Sequence, residues 1–180
     1  MKVFKIIAFF FFSITLSNCK ESKDTDSEKL ASTNRVINDF TIKLNVIATK
    51  DDSFQVYYRT TGVSTYTEDK SIYTEFKGSD KPQDIVFTLP SGIIPDFIRL
   101  DFGVNKNQDF IKVNSFKMSY FGKEFSAVGS DFFNYFLVEE KTMSFDKVTA
   151  TLSPLTIKDN HDPITTSEQR LYNEIQKLVK

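Results

Sequence analysis

The chain has 180 residues, with 23 Lys and Arg against 24 Asp and Glu, one cysteine and one histidine. A net charge of −1 supplies no basic surface of the kind that binds nucleic acid, so we expect no nucleic-acid partner. A single cysteine excludes an internal disulfide, and a single histidine excludes any metal site or catalytic group that needs two.

The first 18 residues have the layout of a secretory signal peptide. Lys2 and Lys5 precede an apolar run of 11 residues, 6–16. Because a helix needs about 20 apolar residues to cross a bilayer, this run predicts a cleaved leader rather than a permanent span. Residues 16–19, Leu-Ser-Asn-Cys, resemble a lipobox, in which Leu stands three residues before a cysteine that becomes lipidated.

This resemblance implies a bacterial lipoprotein held on the membrane by acyl chains such as palmitate on Cys19. Asn18 departs from the usual small residue and looks like a variant found in one group of Gram-negative bacteria. In that group, a charged tag after the cysteine accompanies surface display, and residues 20–24, Lys-Glu-Ser-Lys-Asp, are similar to it. We therefore expect a cell-envelope protein, lipid-anchored at the outer membrane and exposed at the surface. The alternative is an ordinary cleaved signal that leaves Cys19 as a free thiol.

Four segments follow from composition. Residues 1–18 are the signal peptide, and residues 19–37 are the lipidated cysteine and a tether too polar to bury a core. Residues 38–157 carry strand patterns and form the predicted β-sandwich. Residues 158–180 are predicted as a loop and a C-terminal helix.

Alternation of apolar and polar residues predicts the strands. Phe40 to Ala48 and Phe54 to Tyr58 alternate on either side of a polar turn, which indicates a hairpin. Further strands are predicted near 72–76, 85–89, 98–102, 111–120 and 148–152. A phase slip at Asn114 and Ser115 predicts a bulge. Short strands without crossover helices predict an all-β fold, an antiparallel β-sandwich of jelly-roll type.

Two helical segments complete the prediction. Ser130 is expected to cap a short internal helix that contains Phe132, Phe133 and Phe136. Near the C-terminus, Thr165 and Glu168 have the spacing of a capping box. An apolar stripe follows at helical spacing, formed by Leu171, Ile175, Leu178 and Val179. We expect this amphipathic helix to pack on its own domain, with docking to a partner as the alternative.

Two strand segments carry a further resemblance. Residues 81–90 and 98–103 are similar to strands of jelly-roll accessory domains in bacterial cell-surface and polysaccharide-related proteins. Those domains resemble carbohydrate-binding modules, and the likeness covers roughly residues 40–157. It implies a sandwich that binds rather than catalyses. It also implies a structural calcium, for which Asp159, Asn160 and Asp162 are the candidate ligands, with ordinary turn chemistry as the alternative.

Outward-facing aromatic and charged residues on neighbouring strands form the candidate ligand site. Flat aromatic faces stack on sugars while charged groups bond hydroxyls. Tyr57 and Arg59 share the outward face with Gln55, Tyr73 lies on the next strand, and Tyr66 lies in the loop between them. The candidate ligand-binding residues are Tyr57, Arg59, Tyr66, Tyr73, Arg99 and Asp101. The alternative is that they are ordinary cross-strand pairs on a solvated face.

No catalytic constellation is predicted. His161 stands in a loop-like sequence and is expected to be solvated, and neither a serine nor a cysteine nucleophile can be paired with a base. The prediction is a non-catalytic, lipid-anchored binding module with a glycan as the favoured ligand and no cofactor beyond calcium. The alternative is a structural or assembly lipoprotein that docks another envelope protein.

Overall fold

The computed structural model describes residues 38–180. The predictions for the signal peptide, Cys19 and the tether therefore lie outside the described residues. Thirteen strands and one α-helix are found within this range. In chain order they are β1 (Thr41–Ala48), β2 (Asp52–Arg59), β3 (Ser71–Phe76), β4 (Ser79–Thr88), β5 (Phe97–Asp101), β6 (Ile111–Tyr120), β7 (Lys123–Val128), β8 (Phe136–Val138), β9 (Met143–Asp146), β10 (Thr151–Pro154), β11 (Thr156–Ile157), β12 (Asn160–His161), β13 (Ile164–Ser167) and α1 (Gln169–Val179).

Two antiparallel sheets hold most of these strands. The six-stranded sheet has the order β4-β1-β6-β10-β9, with β7 paired to the other half of β6. The five-stranded sheet has the order β3-β2-β5-β13-β8, and β11 and β12 form a separate short ribbon. Their inner faces share one hydrophobic core, so the predicted all-β sandwich is confirmed.

Phenylalanine rings join the two sheets across this core. The ring of Phe116 on β6 lies 4.9 Å from that of Phe136 on β8, in an edge-to-face arrangement. Phe132, in the short 3₁₀ segment Gly129–Asn134, stacks on Phe136 at 4.6 Å. Such aromatic pairs contribute about 0.5–1.5 kcal/mol each beyond the area they bury.

The predicted hairpin between the first two strands is wrong. β1 pairs with β4 and β6, whereas β2 pairs with β3 and β5 in the other sheet. Residues 49–51 thus carry the chain from one sheet to the other. Each strand has a single apolar face, and that face can meet the core from either sheet, so alternation alone does not distinguish a hairpin from a crossover.

The predicted bulge on β6 is confirmed. Asn45 of β1 lies opposite Ser115, but Val46 lies opposite Val113, which leaves Asn114 without a partner residue. The Asn114 side chain donates a hydrogen bond to Oδ1 of Asn45 at 3.0 Å. The extra residue shifts the phase so that both Val113 and Phe116 face the core.

The last part of the chain contains a strand that the sequence did not predict. β13 lies between β5 and β8, inside the segment expected to be a loop. It is polar, Ile-Thr-Thr-Ser, yet Thr165 and Ser167 are buried, which explains why an apolar pattern was not visible. The strand expected at 148–152 begins only at Thr151, and Val148 is 92% exposed in the preceding turn.

Both predicted helix caps are wrong, but the apolar stripe is correctly placed. Thr165 belongs to β13, and α1 begins after Glu168 without a side-chain cap. Ser130 lies within its 3₁₀ segment rather than ahead of it. Leu171, Ile175 and Leu178 are buried in the shared core, so the helix packs on its own domain.

Candidate functional site

A cleft of about 390 Å³ opens on the outer face of the five-stranded sheet. We call it the polar cleft. Its lining comes from β2, β3, β5, the 3₁₀ segment Glu68–Lys70, the loop after β5 and the end of β12. The lining residues are Ser53, Gln55, Tyr57, Glu68, Tyr73, Arg99, Asp101, Gly103, Val104, His161 and Asp162.

Strand register places the floor of the cleft. Gln55 lies opposite Asp101 on β5 and opposite Tyr73 on β3, while Tyr57 lies opposite Arg99. Because alternate residues of a strand point to the same face, these side chains all project away from the core. Gln55 and Tyr57 are nevertheless only 6% and 7% exposed, since neighbouring loop residues cover them.

Glu68 is the hydrogen-bonding centre at one side of the cleft. Its carboxylate accepts hydrogen bonds from the Tyr57 hydroxyl and, at 3.0 Å, from the Gln55 amide. The same amide donates to the Ser71 hydroxyl at 2.9 Å. These bonds, the one from Tyr57 foremost, lower the pKa of Glu68. Burial, followed by the bond to Glu68, raises the pKa of Tyr57. Glu68 is therefore an ionised acceptor at neutral pH.

Arg99 and Asp101 form the charged centre of the floor. Nε and one terminal nitrogen of Arg99 each donate to a different Asp101 oxygen at 2.7 Å. That terminal nitrogen also contacts Asp162 at 3.3 Å, and the guanidinium lies over the Tyr57 ring at 4.8 Å. Burial raises the pKa of Asp101 to about 6, because loss of water outweighs the attraction of Arg99.

Arg59 and Tyr66 lie beside the cleft rather than in its lining. The Arg59 guanidinium is held between the rings of Tyr66 and Phe97, at 4.8 and 4.7 Å from their centroids. It also donates to the carbonyl of Ser64. The rings of Tyr66 and Tyr57 are arranged edge to face, with centroids 6.5 Å apart. These contacts hold the loop after β2 against the cleft wall.

His161 contributes to the cleft, although a solvated loop position was predicted for it. It is partly buried at the end of β12, where its Nδ1 lies 3.0 Å from the Thr156 hydroxyl. Its Nε2 is buried and has no hydrogen-bond partner among residues 38–180. The β11–β12 ribbon, which the sequence did not predict, places it there.

Of the three candidate calcium ligands, only Asp162 lies in the lining of the cleft. Asp162 lines the cleft and contacts Arg99, whereas Asp159 and Asn160 are exposed. The main-chain carbonyl of Asp159 accepts a hydrogen bond from Lys106 at 2.9 Å. Within residues 38–180 there is no group of three or more His, Cys, Asp or Glu side chains positioned to hold a metal ion.

Four of the six predicted ligand-binding residues thus line one cleft: Tyr57, Tyr73, Arg99 and Asp101. Sequence reasoning missed Glu68 and His161, which come from loop and ribbon segments without a periodic pattern. Gln55 was placed on the correct face but was not included in the site. A glutamate in a polar loop next to a Tyr-bearing strand carried no distinguishing signal.

Comparison with known proteins gave no match to a family model, to a curated protein or to a solved structure. Within residues 38–180, no helix has the length and apolar character that crossing a membrane would require.

What the polar cleft can do chemically follows from its groups. Three carboxylates, those of Glu68, Asp101 and Asp162, face one guanidinium, that of Arg99, which is already bonded to two of them. The cleft therefore offers more hydrogen-bond acceptors than donors. Tyr73, which is 56% exposed, adds an accessible aromatic ring at the rim.

Proposed function

We propose that the protein is a lipid-anchored, non-catalytic binding module of the cell envelope, and that its polar cleft binds a neutral or amino-bearing glycan. The observation that carries this proposal is the clustering of Gln55, Glu68, Tyr73, Asp101 and Asp162 around one cleft on a sheet face. A rigid sheet holds such groups in fixed positions, which favours binding without rearrangement.

The size and polarity of the cleft support a saccharide. A volume of about 390 Å³ lies in the range of small-molecule sites. Sugar hydroxyls are donors that carboxylates accept well, and the Tyr73 ring can pack against the C–H face of a pyranose. An acidic sugar would meet net negative charge in the cleft, which disfavours uronic and sialic acids.

The hydrogen bonding within the cleft supports binding rather than catalysis. Arg99 and Asp101 satisfy each other, and Tyr57 donates to Glu68. The buried groups on the floor are thus engaged in fixing the shape of the site. Ser53 lines the cleft, but among residues 38–180 its hydroxyl makes no hydrogen bond to His161, whose Nδ1 pairs with Thr156 instead.

The location in the envelope is proposed from the leader alone. The lipobox-like residues 16–19 support lipidation of Cys19, and mass spectrometry of the mature N-terminus tests it. An unmodified cysteine at that position would remove the anchor from the proposal and leave the cleft untouched.

Docking of another envelope protein is the alternative, and the structure supports it less. The C-terminal stripe that could have met a partner is buried in the domain core. With that stripe buried, the proposal of a protein partner has no defined docking site to support it.

Calorimetric titration of the mature chain with neutral, amino-bearing and acidic oligosaccharides tests the ligand class. We expect binding of neutral or amino-bearing oligosaccharides, with affinity lost in Glu68→Gln and in the double variant Tyr57→Ala, Tyr73→Ala. Lys43→Ala, on the outer face of the other sheet, is the matched control and should bind normally. Wild-type affinity in the double variant would exclude the polar cleft as the site.

A further inference from the structure

The turn between β6 and β7 carries an exposed aromatic residue in an unfavourable backbone conformation. Phe121 and Gly122 join the paired residues Tyr120 and Lys123 and have φ angles of +47° and +78°. Two positive φ angles in a two-residue hairpin define a type I′ turn, which strongly favours Asn-Gly. Phe121 is instead a bulky residue in the left-handed region, and it is 55% exposed. Turn geometry therefore disfavours a phenylalanine here, and more than half of this residue is exposed to solvent.

Phe121 continues a row of aromatic rings toward the start of the domain. Its ring lies 4.7 Å from that of Tyr120, and Tyr120 lies 6.0 Å from Phe40. Phe40 is in turn fixed by a hydrogen bond from the Leu89 amide to its carbonyl at 2.9 Å. We call this end of the sandwich, defined by Phe40, Tyr120 and Phe121, the entry end, because the described chain begins beside it.

The polar cleft extends toward the opposite end. Ser53 and Gly103, which line the cleft, lie at the start of β2 and just after the end of β5. β1 runs from Thr41, next to Phe40, to Ala48, and only residues 49–51 connect Ala48 to the start of β2. The start of β2 therefore lies at the end of the sandwich that is far from Phe40. A surface in contact with the entry end would therefore leave the cleft open to solution.

We infer that Phe121 is a second, direct contact with the bilayer to which Cys19 anchors the protein. This inference rests on the lipid anchoring in the proposed function and is independent of the ligand in the cleft. The bilayer is chosen as the contacting surface because the segment that links Cys19 to the domain joins it at the entry end. Only residues 19–37 separate the proposed acyl anchor from the entry end.

A short connection makes this contact feasible. Nineteen residues span at most about 65 Å even when fully extended, which sets an upper limit on the distance between the anchor and the entry end. The anchor holds the entry end near the bilayer at high effective concentration. Insertion of a single ring is then sufficient for membrane contact, although the same ring would bind a bilayer too weakly in a protein without the anchor. Lys123, exposed next to the turn, can contact anionic head groups while Phe121 enters the interface.

A tryptophan reporter tests the contact. Because the chain contains no tryptophan, F121W provides a single fluorescent probe at the turn. V148W is the matched control, since Val148 is apolar and 92% exposed but lies in the β9–β10 turn. Each mature, lipidated variant is incorporated in vesicles of equal parts phosphatidylethanolamine and phosphatidylglycerol, with and without brominated acyl chains.

The expected result is specific to the position. The F121W emission should shift to shorter wavelength in vesicles and be quenched severalfold more by brominated lipid than the V148W emission. Equal quenching of the two variants in protein that floats with the vesicles would overturn the role of Phe121. An F121W emission that is identical with and without vesicles would overturn it as well, since the surroundings of the ring would then not change at the bilayer.

A second variant separates membrane contact from folding. Phe121→Asn gives the turn its preferred Asn-Gly pair, so its melting temperature should equal or exceed that of the wild type. Transfer of the lipidated protein between vesicles should become severalfold faster in this variant, and an unchanged rate would contradict the proposal. Failure of even the wild type to float would show that the anchor is missing, which overturns the premise and the inference together.

Discussion

The outer faces of the two sheets have the same alternating pattern but different environments. On the five-stranded sheet, outward side chains such as Tyr57 and Asp101 are largely covered by Glu68 and by the residues around His161. On the six-stranded sheet, the outward residues Lys43 and Lys117 border a smaller groove of about 240 Å³. Their ion pairs with acidic neighbours remain between 37% and 57% exposed. Covering segments, rather than strand position, therefore decide which face becomes a site.

The pKa values of two aspartates differ in direction between the covered and the open face. Burial raises the pKa of Asp101, on the covered face, to about 6. On the open face, hydrogen bonds from Asn45 and Lys43 lower the pKa of Asp84. Both residues point outward from a strand, yet desolvation dominates at one and hydrogen bonding at the other. The covered face holds its charged groups at a cost in stability, which is typical of surfaces that bind ligands.

Removing the central arginine should produce the largest difference between the faces. Arg99→Ala leaves Asp101, whose side chain is only 14% exposed, without its bidentate partner. We expect a loss of about 3 kcal/mol in the free energy of unfolding at pH 7, measured by urea denaturation. The control Lys117→Ala breaks the exposed pair with Glu124 and should cost less than about 1 kcal/mol. Equal losses in the two variants would show that the faces are energetically alike.

The pH dependence of stability should come next in size. The folded pKa of Asp101, about 6, exceeds its ordinary value of 3.8, so the folded state binds the proton more tightly. The stabilisation of the folded state by this tighter proton binding is fully present below pH 3.8 and is lost as the pH rises to about 6 and above. Between pH 4 and pH 7 it amounts to about 2 kcal/mol.

Asp101→Asn should abolish this fall in stability, as measured by denaturation at each pH. Asp84→Asn is the control with the opposite sign. Because the pKa of Asp84 is lowered, its contribution is present above its ordinary value of 3.8 and is lost only in more acidic solution. The Asp84→Asn slope between pH 4 and pH 7 should therefore match that of the wild type. A wild-type slope in Asp101→Asn would contradict the burial of that carboxylate.

The hydroxyl of Tyr57 provides a smaller test. Tyr57→Phe removes the hydrogen bond to Glu68 but keeps the ring under the Arg99 guanidinium. We expect a loss of about 1 kcal/mol in unfolding free energy. Tyr73→Phe is the matched control, since its hydroxyl lies 3.4 Å from the same carboxylate and its side chain is exposed. No loss in Tyr57→Phe would mean that water replaces the bond fully.

The open face should give the smallest effect. A double-mutant cycle on Lys43 and Asp84, whose charged atoms lie 3.1 Å apart, should yield a coupling energy below about 0.5 kcal/mol. The coupling should fall further in about 1 M salt, because exposed charges are screened. A coupling energy above about 1 kcal/mol that does not change with salt would mean that this pair behaves like the covered pair of Arg99 and Asp101.

The sequence predicted the strands better than their partners. Alternation located β1, β2 and β6, and the phase slip at Asn114 located the bulge, because burial of one face leaves a period of two in the sequence. Pairing depends on residues far apart, such as Gln55 with Asp101, and no local pattern encodes it. β13 was not predicted because hydroxyl residues, Thr165 and Ser167, occupy its buried positions.

The same reasoning explains the outcome for the site. Tyr57, Arg99 and Asp101 could be placed on one outward face from strand phase alone, and all three line the cleft. Glu68 and His161 reach it from segments whose position depends on tertiary packing. Arg59 also faces outward but is held between Tyr66 and Phe97, a contact that only the folded loop creates.

The position of β13 in its sheet has a consequence for the order of folding. It is the last strand along the chain, yet it supplies the pairing that joins β5 to β8. Until residue 167 has been synthesised, β5 presents an open edge, and open edges invite pairing between chains. The contact between Arg99 and Asp162 likewise cannot form until that late part of the chain has been synthesised. Pairings between residues so far apart along the chain slow folding, because a long loop must close before they form.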